Sequence, residues 1–284
     1  MIKFTHSKES QEHPAGSLYV EMQSHFGIKE FESPVKLTIQ SAVSGKIHWE
    51  NILIPGSWTF YAGVDNTISK IERDGETLLE FVWDTFLHGD LAHQYMMLWS
   101  MENKGAFGIA VGTHNGETGE WVQPIRKGMI EGFLVEASNI QFTELVENYG
   151  HLENCKLINS LITTKAGDFT FWESEEASFV NSIKKDHVEK FTADIKGKLM
   201  SSISLNDLMD MSEKKVRWLH LDVEGIDIDL IMSLSQFNLK SLRIIVYETL
   251  NSSEREKNEC RLFLEKNGFT LCESGWNTIA VRNQ

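Results

Sequence analysis

From about residue 105 onward the chain alternates short apolar runs with stretches of helical periodicity, and this alternation restricts the fold more than any other feature. Phe107–Val111 is apolar and ends at Gly112; residues 132–135 are a second run, closed by Glu136; Cys155–Asn159 is a third. Residues 218–223 and 242–247 follow. Between the runs, Phe142, Leu145, Val146 and Tyr149, then Ile228, Ile231 and Met232, then Glu254–Lys266, fall at helical spacing, and residues 119–126 can turn into a further helix. Continuous apolar runs of this length suit strands buried on both faces, and strands alternating with helices build a parallel sheet covered on both sides. Residues 268–272 and 278–282 predict a closing hairpin, which makes one strand antiparallel, and residues 169–172 are placed on the sheet's margin. The expected class is α/β and Rossmann-like.

The first hundred residues read differently. Val35, Leu37 and Ile39 alternate with polar residues, Ser44-Gly45-Lys46 is a turn, Ile47–Leu53 a second strand, and Pro55-Gly56 another turn. Residues 58–61 and 67–71 are two more strands, closed by Asp74-Gly75, so residues 34–74 are expected to form a small antiparallel β-meander. Trp49, Trp58, Phe60 and Tyr61 would fill its thin core or stack on a sugar or peptide. From Glu76 the spacing turns helical, with Leu78, Leu79, Val82 and Phe86 on one face. His88-Gly89 interrupts it, and Tyr95, Met96, Leu98 and Trp99 resume it, giving helices over 76–103. The first thirty residues are polar and aperiodic and read as a loose lead-in. The chain therefore divides into an extension, 1–104, serving substrate or a second copy of the chain, and a domain over 105–284.

Charge narrows the partners. With 27 Lys plus Arg against 41 Asp plus Glu, the 284 residues carry a net −14. The acidity is not one-sided: residues 1–104 hold 8 basic and 14 acidic side chains, residues 105–284 hold 19 and 27. A nucleic-acid partner, which needs clustered cations, is not expected. Cys155, Cys260 and Cys272 show no CxxC spacing, which argues against a disulfide framework or a zinc site. The N-terminal residues lack the apolar run of a signal peptide, and no stretch reaches the roughly 18 apolar residues of a membrane span. A soluble, cytoplasmic protein without a membrane partner is expected.

The candidate chemistry lies at strand ends. Gly112-x-x-x-Gly116 between a strand and a helix lets the backbone pass close to a ligand. Glu136, 24 residues after Gly112, can accept two hydrogen bonds from ribose hydroxyls. Either NAD or S-adenosylmethionine would fit. The loop lacks a Gly-x-Gly-x-x-Gly pyrophosphate cradle, which tilts the choice to S-adenosylmethionine. In Trp218-Leu-His-Leu-Asp-Val-Glu-Gly225, a strand would point His220, Asp222 and Glu224 to one face. Such groups position a substrate and take its proton, or form a hydrogen-bonded polar seam in which Glu224 caps the next helix. They also resemble a metal-ligand set, but spacing fixes no fourth ligand, and no metal is assigned.

Five segments carry a family resemblance: Val111-Gly-Thr-His-Asn-Gly116, Leu134-Val-Glu-Ala-Ser138, Leu205-Asn-Asp-Leu208, Leu219-His-Leu-Asp-Val-Glu-Gly225 and Ile245-Val-Tyr-Glu248. In order and spacing residues 105–282 resemble the FkbM family of S-adenosylmethionine-dependent methyltransferases. The resemblance implies a class I methyltransferase fold, a seven-stranded sheet with its last strand antiparallel. It also implies a cofactor site to which Gly112, Thr113, His114, Asn115 and Gly116 after the first strand belong, with Gly112, Asn115 and Gly116 facing the methionine portion. Glu136 would hold the ribose, Ala137 and Ser138 would lie beside the adenosine, and Ser160 and Leu161 near the adenine. Asp222 would sit next to the cofactor's amino group and the substrate. Two departures stand out: Ala110 where the family has Asp, and His220 where it commonly has Lys. Imidazole is a better proton acceptor at neutral pH than an ammonium, so His220 is the leading base candidate, with His114 its rival and Asp222 and Glu224 beside it.

The expected activity is methylation of a hydroxyl on a sugar or other polyhydroxylated metabolite by in-line transfer. The alternatives are N-methylation of a peptide side-chain amide in natural-product maturation, and a non-catalytic binding protein on the same fold, motivated by Ala110. The polar segment over 173–198, with Lys184, Lys185, Asp186 and His187, is either a substrate lid or a solvated helix.

Overall fold

The computed structural model describes residues 4–6, 23–27, 34–41, 43–53, 58–62, 67–83, 91–174 and 176–282, and the chain divides into two units, Met1–Gln94 and Tyr95–Gln284. The first contains strands β1 (Phe4–His6), β2 (Gln23–Gly27), β3 (Val35–Ser41), β4 (Ile47–Leu53), β5 (Trp58–Ala62), β6 (Thr67–Arg73) and β7 (Glu76–Trp83). They pair antiparallel in two sheets, β1-β2-β5 and β4-β3-β6-β7. The expected single meander is therefore corrected. β3 has both edges taken by β4 and β6, and β5 pairs with β2 instead, Trp58 opposite Gly27. The expected loose lead-in likewise contains two strands. Their polar sequences, such as Gln-Ser-His-Phe-Gly, carry no hydrophobic alternation to reveal them.

The helix predicted from Glu76 is β7. Asp74 and Gly75 both take left-handed φ, 51° and 83°, the two-residue turn whose twist matches a hairpin. That turn folds β7 back on β6, with Ile71 opposite Leu79 and Thr67 opposite Trp83. Leu78, Leu79 and Val82 are too few to separate a period of 3.6 from one of 2. Phe86, His88-Gly89 and Pro55-Gly56 lie outside the described residues, as do the side chains of Trp49, Trp58, Phe60 and Tyr61. Helix α1 (Leu91–Glu102) follows; it buries Met96, Met97 and Trp99 while Tyr95 and Leu98 are exposed.

The second unit continues with β8 (Phe107–Val111), α2 (Val122–Arg126), β9 (Glu131–Glu136), α3 (Asn139–Tyr149), β10 (Cys155–Asn159), β11 (Leu161–Thr163), β12 (Gly167–Glu173), α4 (Lys185–Val188), β13 (Lys196–Ser204), α5 (Leu205–Asp210), β14 (Trp218–Leu221), α6 (Asp227–Met232), α7 (Gln236–Ser241), β15 (Ile244–Glu248), α8 (Glu254–Lys266), β16 (Phe269–Ser274) and β17 (Asn277–Arg282). Seven strands form one sheet in the order β10-β9-β8-β14-β15-β17-β16. All neighbours are parallel except β17, which is antiparallel to β15 and β16. Counted along the chain this is 3-2-1-4-5-7-6 with the seventh strand reversed, the class I methyltransferase fold.

The apolar runs are strands buried on both faces: every residue of β14 and β15 is buried. Trp218 lies fully buried across the middle of the sheet. A Cβ on Gly108 of β8 would come within 2.2 Å of its ring, and one on Gly132 of β9, one strand further out, within 2.7 Å, so both positions must be glycine. Its indole N–H donates to the carbonyls of Ala106 and Glu131, at 3.2 and 3.1 Å. Burying a tryptophan removes roughly 150–250 Å² from water, about 4–6 kcal/mol at 25 cal/mol/Å².

Residues 169–172 are not on the sheet's margin, a second correction. They belong to β12, part of a separate sheet β11-β13-β12, in which Phe171 lies opposite Lys198. The partner β13 is largely exposed and begins Lys-Gly-Lys, so it has no apolar signature. Among the described residues no helix is long and apolar enough to cross a membrane. The chain runs outward from β8 to β10, then returns to β14 on the other side of β8. That reversal opens a crevice at the carboxyl ends of β8 and β14, where Gly112 and Asp222 stand.

Candidate active site

The crevice is a cleft of about 930 Å³, its open mouth included, and its wall contains Gly112, Thr113, His114, Glu136, Ala137, Ser160, Leu161, His220, Asp222 and Glu224. Asn115, Gly116 and Ser138, predicted beside them, do not line it. Gly116 is packed on α3: its carbonyl accepts from the Tyr149 hydroxyl at 2.7 Å, and a Cβ there would come within 2.3 Å of the Tyr149 ring. The Asn115 carbonyl accepts from Asn148 at 2.8 Å, and its amide donates to Glu144 at 3.1 Å. Ser138 is buried at the start of α3. These three shape the loop from behind.

Glu136 organises the loop from the front. One carboxylate oxygen accepts from the backbone N–H of His114 and the other from that of Ser138, both at 2.8 Å. The first bond fixes His114 in the left-handed region, at φ 49°, where a non-glycine residue is strained. Burial nonetheless pushes the Glu136 carboxyl up to about 7, against the opposing backbone hydrogen bonds. Each oxygen can accept more than one hydrogen bond, so besides these donors and the Ala137 N–H, a third backbone donor to the carboxylate, part of its acceptor capacity remains for a diol.

His114 is tied on both sides. Its Nδ1 is 3.2 Å from Asn115 Oδ1 and its Nε2 is 3.1 Å from Ser178 Oγ. Asn115 Oδ1 also accepts from the Glu117 N–H, so Nδ1 carries the proton and Nε2 accepts from Ser178. Burial holds the ring's pKa below the usual histidine value. With its lone pair engaged, His114 joins the loop to the segment over 173–198. That segment is more than a solvated helix: Ser178, Phe179, Asn181 and Ser182 form a wall of the cleft.

The predicted row of His220, Asp222 and Glu224 is corrected. β14 ends at Leu221, and Glu224 turns into the left-handed region at φ 53°, followed by Gly225 at 99°. The turn is held from inside by Asp227, whose two oxygens accept from the N–H groups of Val223 and Gly225, each at 3.2 Å. Burial pushes the Asp227 carboxyl up to about 6. The row therefore splits. His220 lines the cleft but turns its Nε2 inward, 2.6 Å from Glu120 Oε2, and both side chains are buried. Asn277 donates to the other Glu120 oxygen at 2.6 Å. With Nε2–H given to a carboxylate, Nδ1 holds the ring's lone pair, and this buried atom has no hydrogen-bond partner.

Asp222 and Glu224 instead converge with Glu248 at the end of β15, one oxygen of each lying within 4.8 Å of the others. Asp222 is accessible from the cleft but otherwise enclosed, and burial together with the charges of Asp227, Glu224, Glu248 and Glu120 holds its carboxyl well above the usual range. Burial, then Glu224 and Asp227, push Glu248 up to about 8. Glu120, Asp227 and His187 were not singled out as site residues from the sequence. Glu120 lies 100 positions from His220, which no local pattern can bridge.

The strand order and this cleft define a chain of the class I methyltransferase fold. No family model and no characterised protein sequence matches it. Solved structures similar to it include a precorrin-6y C5,15-methyltransferase from Geobacter metallireducens, 10% identical with a TM-score of 0.38, covering 67% of this chain and 87% of that one. The methyltransferase domain of METTL16 is 11% identical with a TM-score of 0.39, covering 67% of each chain. A SAM-dependent methyltransferase from Aquifex aeolicus is 12% identical with a TM-score of 0.35, covering 69% of this chain and 90% of that one. The fold assignment rests on the strand order itself.

Proposed function

We propose that this chain is an S-adenosylmethionine-dependent methyltransferase that methylates a hydroxyl of a sugar or other polyhydroxylated metabolite. The carrying observation is the shared cleft, which puts a diol-accepting carboxylate, Glu136, and a carboxylate-backed imidazole, His220, in one wall. The residues fit the cofactor. Glu136 presents its carboxylate to the ribose diol, Ser160 and Leu161 flank the space for adenine, and Asp222 lies at the switch point where the amino group would need a carboxylate. Ala110 supplies none, which leaves that duty to Asp222. When bound, S-adenosylmethionine supplies a methyl already activated on a cationic sulfonium, and the acidic wall favours such a cation.

The protein's part is alignment and one proton. An acceptor hydroxyl that reaches His220 Nδ1 gives that buried lone pair its partner. In the transfer the methyl carbon would bond to the acceptor oxygen as its bond to the sulfonium sulfur breaks and that pair stays on sulfur, leaving neutral S-adenosylhomocysteine; the hydroxyl proton would pass to Nδ1, and Glu120 would stabilise the imidazolium through Nε2–H. The net charge of −14 weighs against a polyanionic acceptor.

Calorimetry with S-adenosylmethionine tests the reading; absence of binding overturns it. In Glu136→Gln, affinity should fall roughly 100-fold, the worth of two hydrogen bonds to a charged group at about 1.5 kcal/mol each. The ionised carboxylate accepts both hydroxyls, so wild-type binding should tighten as pH rises through about 7. The variant should lose that part of the pH dependence. Stability runs the other way. A carboxyl raised from 4.5 in the folded protein contributes fully below 4.5, and the contribution is lost as pH rises through about 7.

A further inference from the structure

At the sheet edge opposite the cleft, three neighbouring strands each place an arginine. Arg217 and Arg243 immediately precede β14 and β15, and Arg282 ends the antiparallel β17. The backbone sets them side by side: the Arg243 N–H donates to the Arg217 carbonyl at 2.7 Å, and the Arg282 N–H to the Arg243 carbonyl at 2.8 Å. Like charges on directly adjacent strand positions repel. All three side chains are half-buried and line one pocket of about 1170 Å³, its open mouth included. Every residue of its wall belongs to the second unit.

The guanidinium groups are positioned but not neutralised. Arg282 stacks on Phe269, its Cζ 4.4 Å from the ring centroid, and donates from Nη1 to the Lys240 carbonyl at 2.9 Å. Its Nε is buried and has no hydrogen-bond partner. Burial, then the charge of Arg243, hold its pKa below the usual arginine value. Arg217 donates from Nη1 to the Ser241 carbonyl at 3.1 Å. Among the described residues the Arg243 side chain has no hydrogen bond or ion pair, and no carboxylate pairs with any of the three. A guanidinium carries five N–H donors, so most of this row's donors are unused. The rest of the wall is mainly one face of α1, where Tyr95, Leu98, Trp99 and Glu102 stand at i, i+3, i+4 and i+7.

We propose that this pocket binds a phosphomonoester, with its phosphate across the three arginines and its organic part against Tyr95, Leu98 and Trp99. Three guanidinium groups against Glu102, the one carboxylate among the described residues of the wall, leave two positive charges. A phosphomonoester brings about −1.5 to −2 at pH 7 and three acceptor oxygens, and the guanidinium fork matches two of those oxygens at once. A carboxylate would leave the row half neutralised. An extended polyanion would meet the net −14 of the chain. The site does not depend on the methyltransferase reading.

Calorimetry on the full chain with phenyl phosphate tests the site, with inorganic phosphate and phenol as comparison probes at one ionic strength. Phenyl phosphate should saturate at one per chain, bind at least roughly tenfold tighter than inorganic phosphate, and raise the melting temperature. Phenol alone should not bind. Arg243→Ala should weaken phenyl phosphate binding at least roughly tenfold. This variant removes a charge from the row and breaks no hydrogen bond, so without ligand it should melt no lower than wild type. Arg243→Lys keeps the charge without the fork; its affinity should fall between the two, and it carries the test if the alanine variant does not fold. Absence of saturable phenyl phosphate binding, or wild-type affinity in both variants, overturns the site. Equal affinity for inorganic phosphate overturns the ester in favour of the free ion, and tighter binding of a single-stranded oligonucleotide without terminal phosphate overturns it in favour of nucleic acid. Affinity for S-adenosylmethionine should be unchanged in Arg243→Ala, so either reading can fail without the other.

Discussion

Replacement of His220 by Ala should lower kcat roughly 100- to 10,000-fold, the usual worth of a positioned base, with the affinity for S-adenosylmethionine little changed. Among the described residues that line the cleft, the imidazole is the one group with a buried nitrogen and no hydrogen-bond partner, and an orphaned acceptor of this kind costs about 1–3 kcal/mol unless a donor arrives. An acceptor hydroxyl is such a donor. Added imidazole should restore part of the rate by occupying the space the side chain leaves. A structural role would not produce that rescue. Removing His220 also takes from the buried Glu120 Oε2 the Nε2–H donor it faces, while Asn277 still donates to the other oxygen, so the melting temperature should fall. Glu120→Gln therefore serves as the companion. It keeps shape and the Asn277 contact, acts on the proton through His220 alone, and should lower kcat in the same direction with KM nearly constant. A kcat within about threefold of wild type in both folded variants, a difference of less than about 1 kcal/mol, would remove His220 as the base.

The same pair shows what a sequence can and cannot disclose. β8, β9, β10, β14 and β15 are legible because strands enclosed on both faces must be apolar throughout, and Gly112 and Glu136 are legible because they terminate such strands. β13 is not: it is mostly exposed, and its stability comes from pairing with β11 and β12 rather than from its own composition. β7 was misread because a short apolar run fits two periods, and the deciding signal was the Asp74-Gly75 turn preceding it. In the site, His220, Asp222 and Glu224 looked collinear because alternation assumes an extended backbone. Gly225 was the available hint of a turn, and the turn itself is made by Asp227 capturing two amides. The partners that give these residues their chemistry, Glu120 for His220 and His187 for Glu224, arrive from other elements through tertiary packing.

Gly112→Ala should be the most damaging single-methyl addition in the second unit's cleft. The residue sits at φ 76°, where a side chain costs roughly 1–2 kcal/mol. The added Cβ would also stand 1.8 Å from the carbonyl oxygen of Asp222 and 2.7 Å from its carbonyl carbon. Those are backbone atoms at the end of β14, held by the Asp222 N–H donating to the Val111 carbonyl at 3.1 Å, so they cannot rotate aside. Relief requires β8 and β14 to part at the switch point, and such overpacking costs a further 1–3 kcal/mol or so. A total loss of about 2–5 kcal/mol is a large share of the roughly 5–15 kcal/mol that holds a domain together. The movement would carry the Asp222 carboxylate with it, so cofactor binding should weaken as well. Gly128 provides the control. Its φ is 64°, but a Cβ there meets nothing within 4 Å, so Gly128→Ala should cost only the backbone strain of roughly 1–2 kcal/mol. Denaturant melts of the two variants isolate the contact from the conformation. Equal losses would mean that the close approach of β8 to β14, on which the geometry of the cleft depends, does not exist in solution.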